Sequence, residues 1–242
     1  MNAIQPDWPL PRGVKAAVTL RSGGVSQGSY ASLNPADHVG DDPKAVAANR
    51  AIIQEMLQLP SEPIWLRQVH GIGVIKADQS QGVPEADASF TDRNCTVCAV
   101  LTADCLPVLF CGDNGRVIGA AHAGWRGLQA GVIKQTLAAM NCAEVSVWLG
   151  PAIGPDNFEV GDDVREAFLA DNTKAAGAFR DHGPGKWLAD IYQLARLQLA
   201  ELGVDNIHGG GLCTVADDAR FYSYRRDGAA TGRMASLIWR EY

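Results

Sequence analysis

Two hydrophobic rhythms run along this chain, and they predict different elements. Val14 to Arg21 alternates apolar and polar positions and stops at Ser22-Gly23-Gly24, which reads as a strand closed by a turn. Gly28 to His38 is rich in Ser, Asn and Gly and reads as an ordered loop. Asp42-Pro43 then offers an N-cap followed by proline at the first helical position. Val46, Ile53 and Leu57 continue at core spacing, and Pro60 lies just past the end. The middle of the chain is strand-rich, with short apolar runs at Ile64 to Val69, Val74 to Ala77, Thr96 to Leu101, Leu106 to Cys111 and Val117 to His122. Helical spacing returns over Leu128 to Met140, Asp162 to Ala170 and Trp187 to Leu202, with a strand from Val145 to Leu149 between the first two. Short strands near Gly211 to Val215 and Ala235 to Arg240 close the pattern. Strands and helices mix without strict alternation, and neither G-x-G-x-x-G nor a P-loop occurs. The pattern therefore disfavours a doubly wound nucleotide fold and favours a mixed, layered α+β domain.

Composition narrows this further. At 242 residues and 47% hydrophobic, the chain can bury one large core or two modest ones, and no linker or repeat divides it. A formal charge of −6 argues against a nucleic-acid backbone as the main ligand. No run of 18 apolar residues is present, which excludes a helical membrane span. The first eight residues lack the basic and apolar regions of a signal peptide, so the expected location is the cytoplasm. The six cysteines are then expected to be reduced thiols. Cys95 and Cys98 form a lone C-x-x-C without a second pair or redox context. If both lay on one strand they would face opposite ways. Cys111 and Cys142 read as small buried hydrophobes.

Three residues fit none of this packing logic. His70 follows a strand in Gln68-Val69-His70-Gly71, Cys105 lies between two strands in Thr102-Ala103-Asp104-Cys105-Leu106-Pro107, and His122 ends a strand before Ala123-Gly124-Trp125-Arg126-Gly127. Two imidazoles and a thiolate suit a catalytic zinc ion, which takes three protein ligands and keeps a fourth position open. Gaps of 35 and 17 residues make no compact motif, so the tertiary fold must assemble the set. Each residue also has a plainer reading, as a turn histidine or a buried cysteine. Three features weigh against that reading. Asp104 would be a costly ion in an apolar run without a partner or a role. The small residues Ala120, Ala121, Ala123 and Gly124 clear space around His122. Gly124 to Gly127 leads into a helix whose amides, with Arg126, offer a cradle for an anion.

Beside the three segments around His70, Cys105 and His122 stand Arg21-Ser22-Gly23-Gly24-Val25-Ser26, Ser32-Leu33-Asn34 and His38-Val39-Gly40-Asp41-Asp42. On these, and across almost its whole length, the chain resembles the YfiH-like laccase-domain proteins, also called the purine nucleoside phosphorylase or peptidoglycan editing factor family. Further matches are Leu149-Gly150-Pro151-Ala152-Ile153-Gly154, Phe158-Glu159-Val160-Gly161, Ser223-Tyr224-Arg225-Arg226 and Thr231-Gly232-Arg233. The resemblance implies one domain over residues 1–242, an α/β/β/α sandwich with mixed sheets, and a zinc ion on His70, Cys105 and His122. It also implies phosphorolysis of purine nucleosides, with adenosine deamination and methylthioadenosine phosphorolysis as related activities.

A thiolate and two neutral imidazoles leave a zinc site with net charge near +1, enough to draw a bound water's pKa toward ~7. Deamination then needs a proton shuttle, for which Asp104 is the candidate, with orientation of a ligand or the backbone as its alternative role. Phosphorolysis needs a phosphate anchor, for which Arg126 is the first candidate and Arg21, Arg225, Arg226 and Arg233 follow. Asn34 and His38 are expected to line the pocket. With five histidines the chain cannot build a laccase's four-copper constellation, although a single copper on the same ligands is compatible with their chemistry. A metal-free Cys105 nucleophile with His122 or His70 as base would instead make an amidase acting on cell-wall precursors. The sequence leaves the oligomeric state open.

Overall fold

The computed structural model describes residues 3–241. Two sheets stack face to face, and helices cover the outer face of each. The first sheet is antiparallel and runs Ala3–Ile4, Val14–Thr19, Met234–Arg240, Val97–Thr102. The second is mixed and runs Ile207–Gly209, Val145–Leu149, Leu106–Gly112, Val117–Ala123, Ala88–Thr91, Val74–Lys76, with parallel pairs at its two edges. A small third sheet joins Phe179–Asp181, Lys186–Ala189 and Glu159–Gly161.

The period of two along each strand decides which layer a side chain joins. In the first sheet, Val18, Val100 and Ile238 enter the core between the sheets. Their neighbours Ala17, Ala99, Leu101, Leu237 and Trp239 enter a separate core under the helix Pro43–Leu57, with Ile53 and Trp65. In the second sheet, Leu109, Cys111, Ile118 and Ala120 face the first sheet. Val108, Phe110, Ala121 and Ala123 face the helices Val132–Met140 and Ile191–Glu201. Both faces of the central strands are thus buried, which explains their continuous apolar runs. The four layers are the α/β/β/α sandwich the resemblance implied.

Several elements depart from the sequence pattern, each for a local reason. Ile64 to Val69 forms no strand. Ile64 and Arg67 make isolated bridges to Cys98 and Glu85, while the Gln68 carboxamide exchanges two hydrogen bonds with the Leu101 backbone at 2.7 and 2.8 Å. The helix expected over Leu128 to Met140 starts earlier and is two, Trp125–Ala130 and Val132–Met140, broken at Gly131 with φ 96°. Trp187 to Leu202 splits into the strand Lys186–Ala189 and the helix Ile191–Glu201, because Asp190 caps the latter by accepting from the Gln193 amide at 3.0 Å. The last parallel strand is Ile207–Gly209, and Gly209, Gly210 and Gly211 all have positive φ. Of the strand expected at Gly211 to Val215 a single bridge remains, Ala152 to Cys213. Cys95 lies outside the strand, exposed, whereas Cys98 is buried within it and its thiol is pushed up to about 12 by desolvation. Among the described residues no helix is long and apolar enough to cross a membrane.

Candidate metal centre

The chain passes from the first sheet to the second through Ala103, Asp104 and Cys105, between the strands ending at Thr102 and starting at Leu106. Cys105 is therefore held at the seam between the sheets. His122, opposite Pro107 on the neighbouring strand, reaches the same seam and is 3% exposed. His70 arrives from a loop, with φ 60°. The donor atoms of His70, Cys105 and His122 all lie within 4.8 Å of one another. Cys105 Sγ is 3.8 Å from His70 Nε2, and the two imidazoles meet edge to face with centroids 4.7 Å apart.

Two glycines make this closeness sterically feasible. A Cβ on Gly124 would stand 3.0 Å from both Cys105 Sγ and His70 Cδ2. A Cβ on Gly127 would stand 2.8 Å from the Gly71 carbonyl oxygen, so only glycine lets the helix Trp125–Ala130 come so near the His70 loop.

The residue that organises the set was missed in the sequence. Asp87 is wholly buried, and its Oδ1 accepts from His122 Nδ1 at 2.8 Å and from the His70 amide at 2.9 Å. Its Oδ2 accepts from the amides of Gly71 at 2.7 Å and Val69 at 3.2 Å. With Nδ1 engaged in this way, His122 turns Nε2 toward the other two donors. The available signal was Asp87 between Ala86 and Ala88, a charge among small apolar residues like Asp104.

The electrostatics follow from these contacts. Burial pushes the Cys105 thiol up, but the nearby His122 and His70 outweigh it and bring the pKa down to about 6. Burial pulls His122 down, and the Cys105 thiolate with the Asp87 carboxylate outweighs it and raises the pKa to about 9. Asp87 itself is held below the usual carboxylate range: the His122 hydrogen bond and the Gly71 and Val69 amides overcome its desolvation. The two imidazoles thus favour the thiolate form of Cys105. A soft anionic sulfur, two imidazoles and a small-residue cradle fit a zinc or copper ion held on one side, with the other side open.

The open side is a cleft of about 450 Å3. Trp125, Phe158, Ile153 and Tyr224 supply apolar surface, and Arg126, Arg225 and Arg233 supply positive charge. Arg126 is exposed and stacks over the Trp125 ring at 4.4 Å. Arg225 donates to the Glu159 carbonyl at 3.0 Å, and Arg233 to those of Thr231 and Gly232 at 2.7 and 3.0 Å. His38 is also on the wall, with its pKa lowered by burial and by the charge of Arg233.

Of the other expected residues, Asp104 reaches the cleft and Arg21, Asn34 and Arg226 do not line it. Asp104 borders the cleft, but its carboxylate accepts from Thr214 Oγ1 at 2.5 Å, Ser223 Oγ at 3.0 Å and the Arg225 amide at 2.6 Å. Arg21 is off the cleft wall: it donates to the Asp218 carbonyl at 3.0 Å and stacks on Tyr222. Asn34 is buried and off the wall as well, bonding Ala36, Asp41 and the Arg233 amide. Arg226 turns away to the carbonyls of Thr214, Val215 and Phe221 and to Asp227. All three were expected because they lie in segments that match the family, and each is held by hydrogen bonds to nearby backbone groups.

The family described as multi-copper polyphenol oxidoreductase laccase matches residues 15–241. The chain belongs to that family. A Pseudomonas aeruginosa relative named purine nucleoside phosphorylase is 53% identical over 99% of both chains, and the Escherichia coli purine nucleoside phosphorylase YfiH is 54% identical over 98% of both. The crystal structure of a Neisseria meningitidis protein superposes with a TM-score of 0.96 at 52% identity, each chain covered completely. The oxidase description sits poorly with the ligand set. Among the described residues, two of the five histidines join the cysteine in the one group able to hold a metal.

Proposed function

We propose that this protein is a zinc-dependent purine nucleoside phosphorylase, cleaving inosine, adenosine or guanosine with phosphate to the free base and ribose 1-phosphate. One observation carries the reading: the His70–Cys105–His122 set opens into a cleft that combines aromatic surface with three arginines. The relatives' names point the same way. Bound zinc would supply Lewis acidity and a lowered water pKa, which also accommodates adenosine deamination and methylthioadenosine phosphorolysis as side activities. The chain's own residues do the rest. Trp125, Phe158 and Tyr224 offer faces for a purine, and excluding water there strengthens each charge contact. Arg126, with Arg225 and Arg233 lining the same cleft, anchors phosphate and orients it toward the sugar. Asp104 acts as a brace for the Cys105 turn in place of the proton shuttle its position suggested, since three donors converge on its carboxylate.

The test is chromatographic. Purified protein with inosine should release hypoxanthine when phosphate is present, and Cys105→Ala should release none. Arg126→Ala should raise the KM for phosphate by about 10- to 100-fold, the worth of a charge-assisted hydrogen bond. No release from inosine or adenosine would refute the reading.

A second reading is favoured by Asp87. Cys105, His122 and Asp87 have the order of a nucleophile, base and orienting carboxylate, as an amidase acting on cell-wall precursors would need. Chelation separates the two, because a metal-free nucleophile survives it and a zinc enzyme does not.

A further inference from the structure

We infer that Asp87 is the positioning residue that sets metal affinity, by locking both histidine ligands through one carboxylate. The inference rests on the metal reading of the site and not on the choice of substrate. Among the described residues, no other carboxylate hydrogen-bonds to both histidines. Asp87 Oδ1 is shared between the His122 ring and the His70 amide, and Oδ2 closes on the amides at either side of His70. The Asp87 main chain adds a third tie, its carbonyl accepting from the His122 amide at 2.7 Å.

The consequences follow from the geometry. The loop bearing His70 is in the left-handed region at that residue, a conformation that costs a non-glycine side chain about 1–2 kcal/mol. Three converging amides on a buried carboxylate hold it there. The same carboxylate oxygen fixes the proton of His122 on Nδ1, which presents Nε2 as the ligand atom. One group therefore chooses the ring nitrogen of one ligand and the backbone of another. Cys105, the third ligand, is braced independently by Asp104. Loss of Asp87 should loosen the two histidines together and leave the thiolate in place. Asparagine in its place keeps the size but sets an N–H2 group against N–H donors, so even this conservative change breaks the arrangement.

The experiment compares wild-type protein with Asp87→Asn and Asp87→Glu, using metal alone. Zinc affinity is measured by chelator competition, and cobalt(II) is titrated to read its ligand-field and thiolate charge-transfer bands. Circular dichroism and the Tm of the metal-free proteins report folding. Asp87→Asn is expected to fold, to bind zinc about 10- to 100-fold more weakly, and to shift the ligand-field bands while keeping the thiolate band. Asp87→Glu serves if the asparagine variant fails to fold, with the same loss expected because the longer side chain cannot keep both distances. A folded variant with wild-type affinity and spectrum overturns the inference. So does a lower metal-free Tm with unchanged affinity, since that marks a role in folding alone. Wild-type protein that takes up no zinc overturns both this inference and the zinc reading. Failure of the nucleoside assay with zinc binding intact would leave Asp87's role standing and refute the substrate reading alone.

Discussion

At the scale of single residues, the centre depends on what is absent as much as on what is present. Gly124 has φ −60° and ψ 156°, a backbone that alanine adopts freely, so the missing methyl is a matter of space. Gly124→Ala would press that methyl against Cys105 Sγ and His70 Cδ2, each 3.0 Å away. The expected outcome is a folded protein, with its Tm nearly unchanged, whose kcat/KM falls about 10- to 100-fold because the ligands are displaced by a fraction of an ångström. Steady-state kinetics beside a thermal melt checks both halves. A different residue gives the acid limb. The Arg226 guanidinium beside Asp227 holds that carboxyl below its ordinary value, and the pair anchors the short helix Tyr224–Asp227 that brings Tyr224 and Arg225 to the cleft. A depressed folded pKa means the stabilisation is fully present above the unfolded value of roughly 3.9 and fades as pH falls through the lower, folded one. Wild type should therefore lose stability relative to Asp227→Asn on acidification below about pH 4, as melts from pH 6 to pH 3 would show, with the gap between them constant above about pH 5.

Elements differ in how plainly the sequence announces them. Asp42-Pro43 was readable because a cap and an N1 proline are local chemistry: the Asp42 side chain accepts from the Lys44 amide at 3.0 Å, and the helix Pro43–Leu57 follows. Asp42→Ala should cost about 1 kcal/mol and lower the Tm by roughly 2–4 °C. None of the helix's residues lines the cleft, so kcat and KM should not move. The central strands were readable for another reason, being buried on both faces. What stayed hidden depends on partners far along the chain. Ala88–Thr91 is four residues with no pattern of its own until Val117–Ala123 pairs with it. Trp187 read as helical until Glu159–Gly161 claimed it as a strand. The candidate site followed the same division. His70, Cys105 and His122 stood out as chemistry at strand ends, whereas Asp87, which binds two of them, is meaningful only when residues 35 positions apart are brought together.

Taken whole, the molecule stacks its two larger sheets with the candidate centre at their seam, so a metal bound there would be coupled to global stability. Cys105 sits on the crossing between the sheets, His122 on the second sheet, and His70 on a loop tied to the second sheet through Asp87. An unfolded chain cannot gather ligands separated by 35 and 17 residues, so metal binding is largely reserved for the folded state. Free zinc at about 100 times its Kd should then stabilise the protein by about 2.7 kcal/mol. For a chain of this length that corresponds to a Tm rise of about 5–10 °C. Removing zinc by chelation and dialysis should lower the Tm by the same amount, and returning one equivalent should restore most of it. Cys105→Ala supplies the control, because it removes the one anionic ligand while leaving both imidazoles, and its Tm should respond to zinc by less than half as much. A zinc response equal to wild type in that variant would place the stabilising metal elsewhere on the protein, and the seam would then lose its claim to be the metal centre.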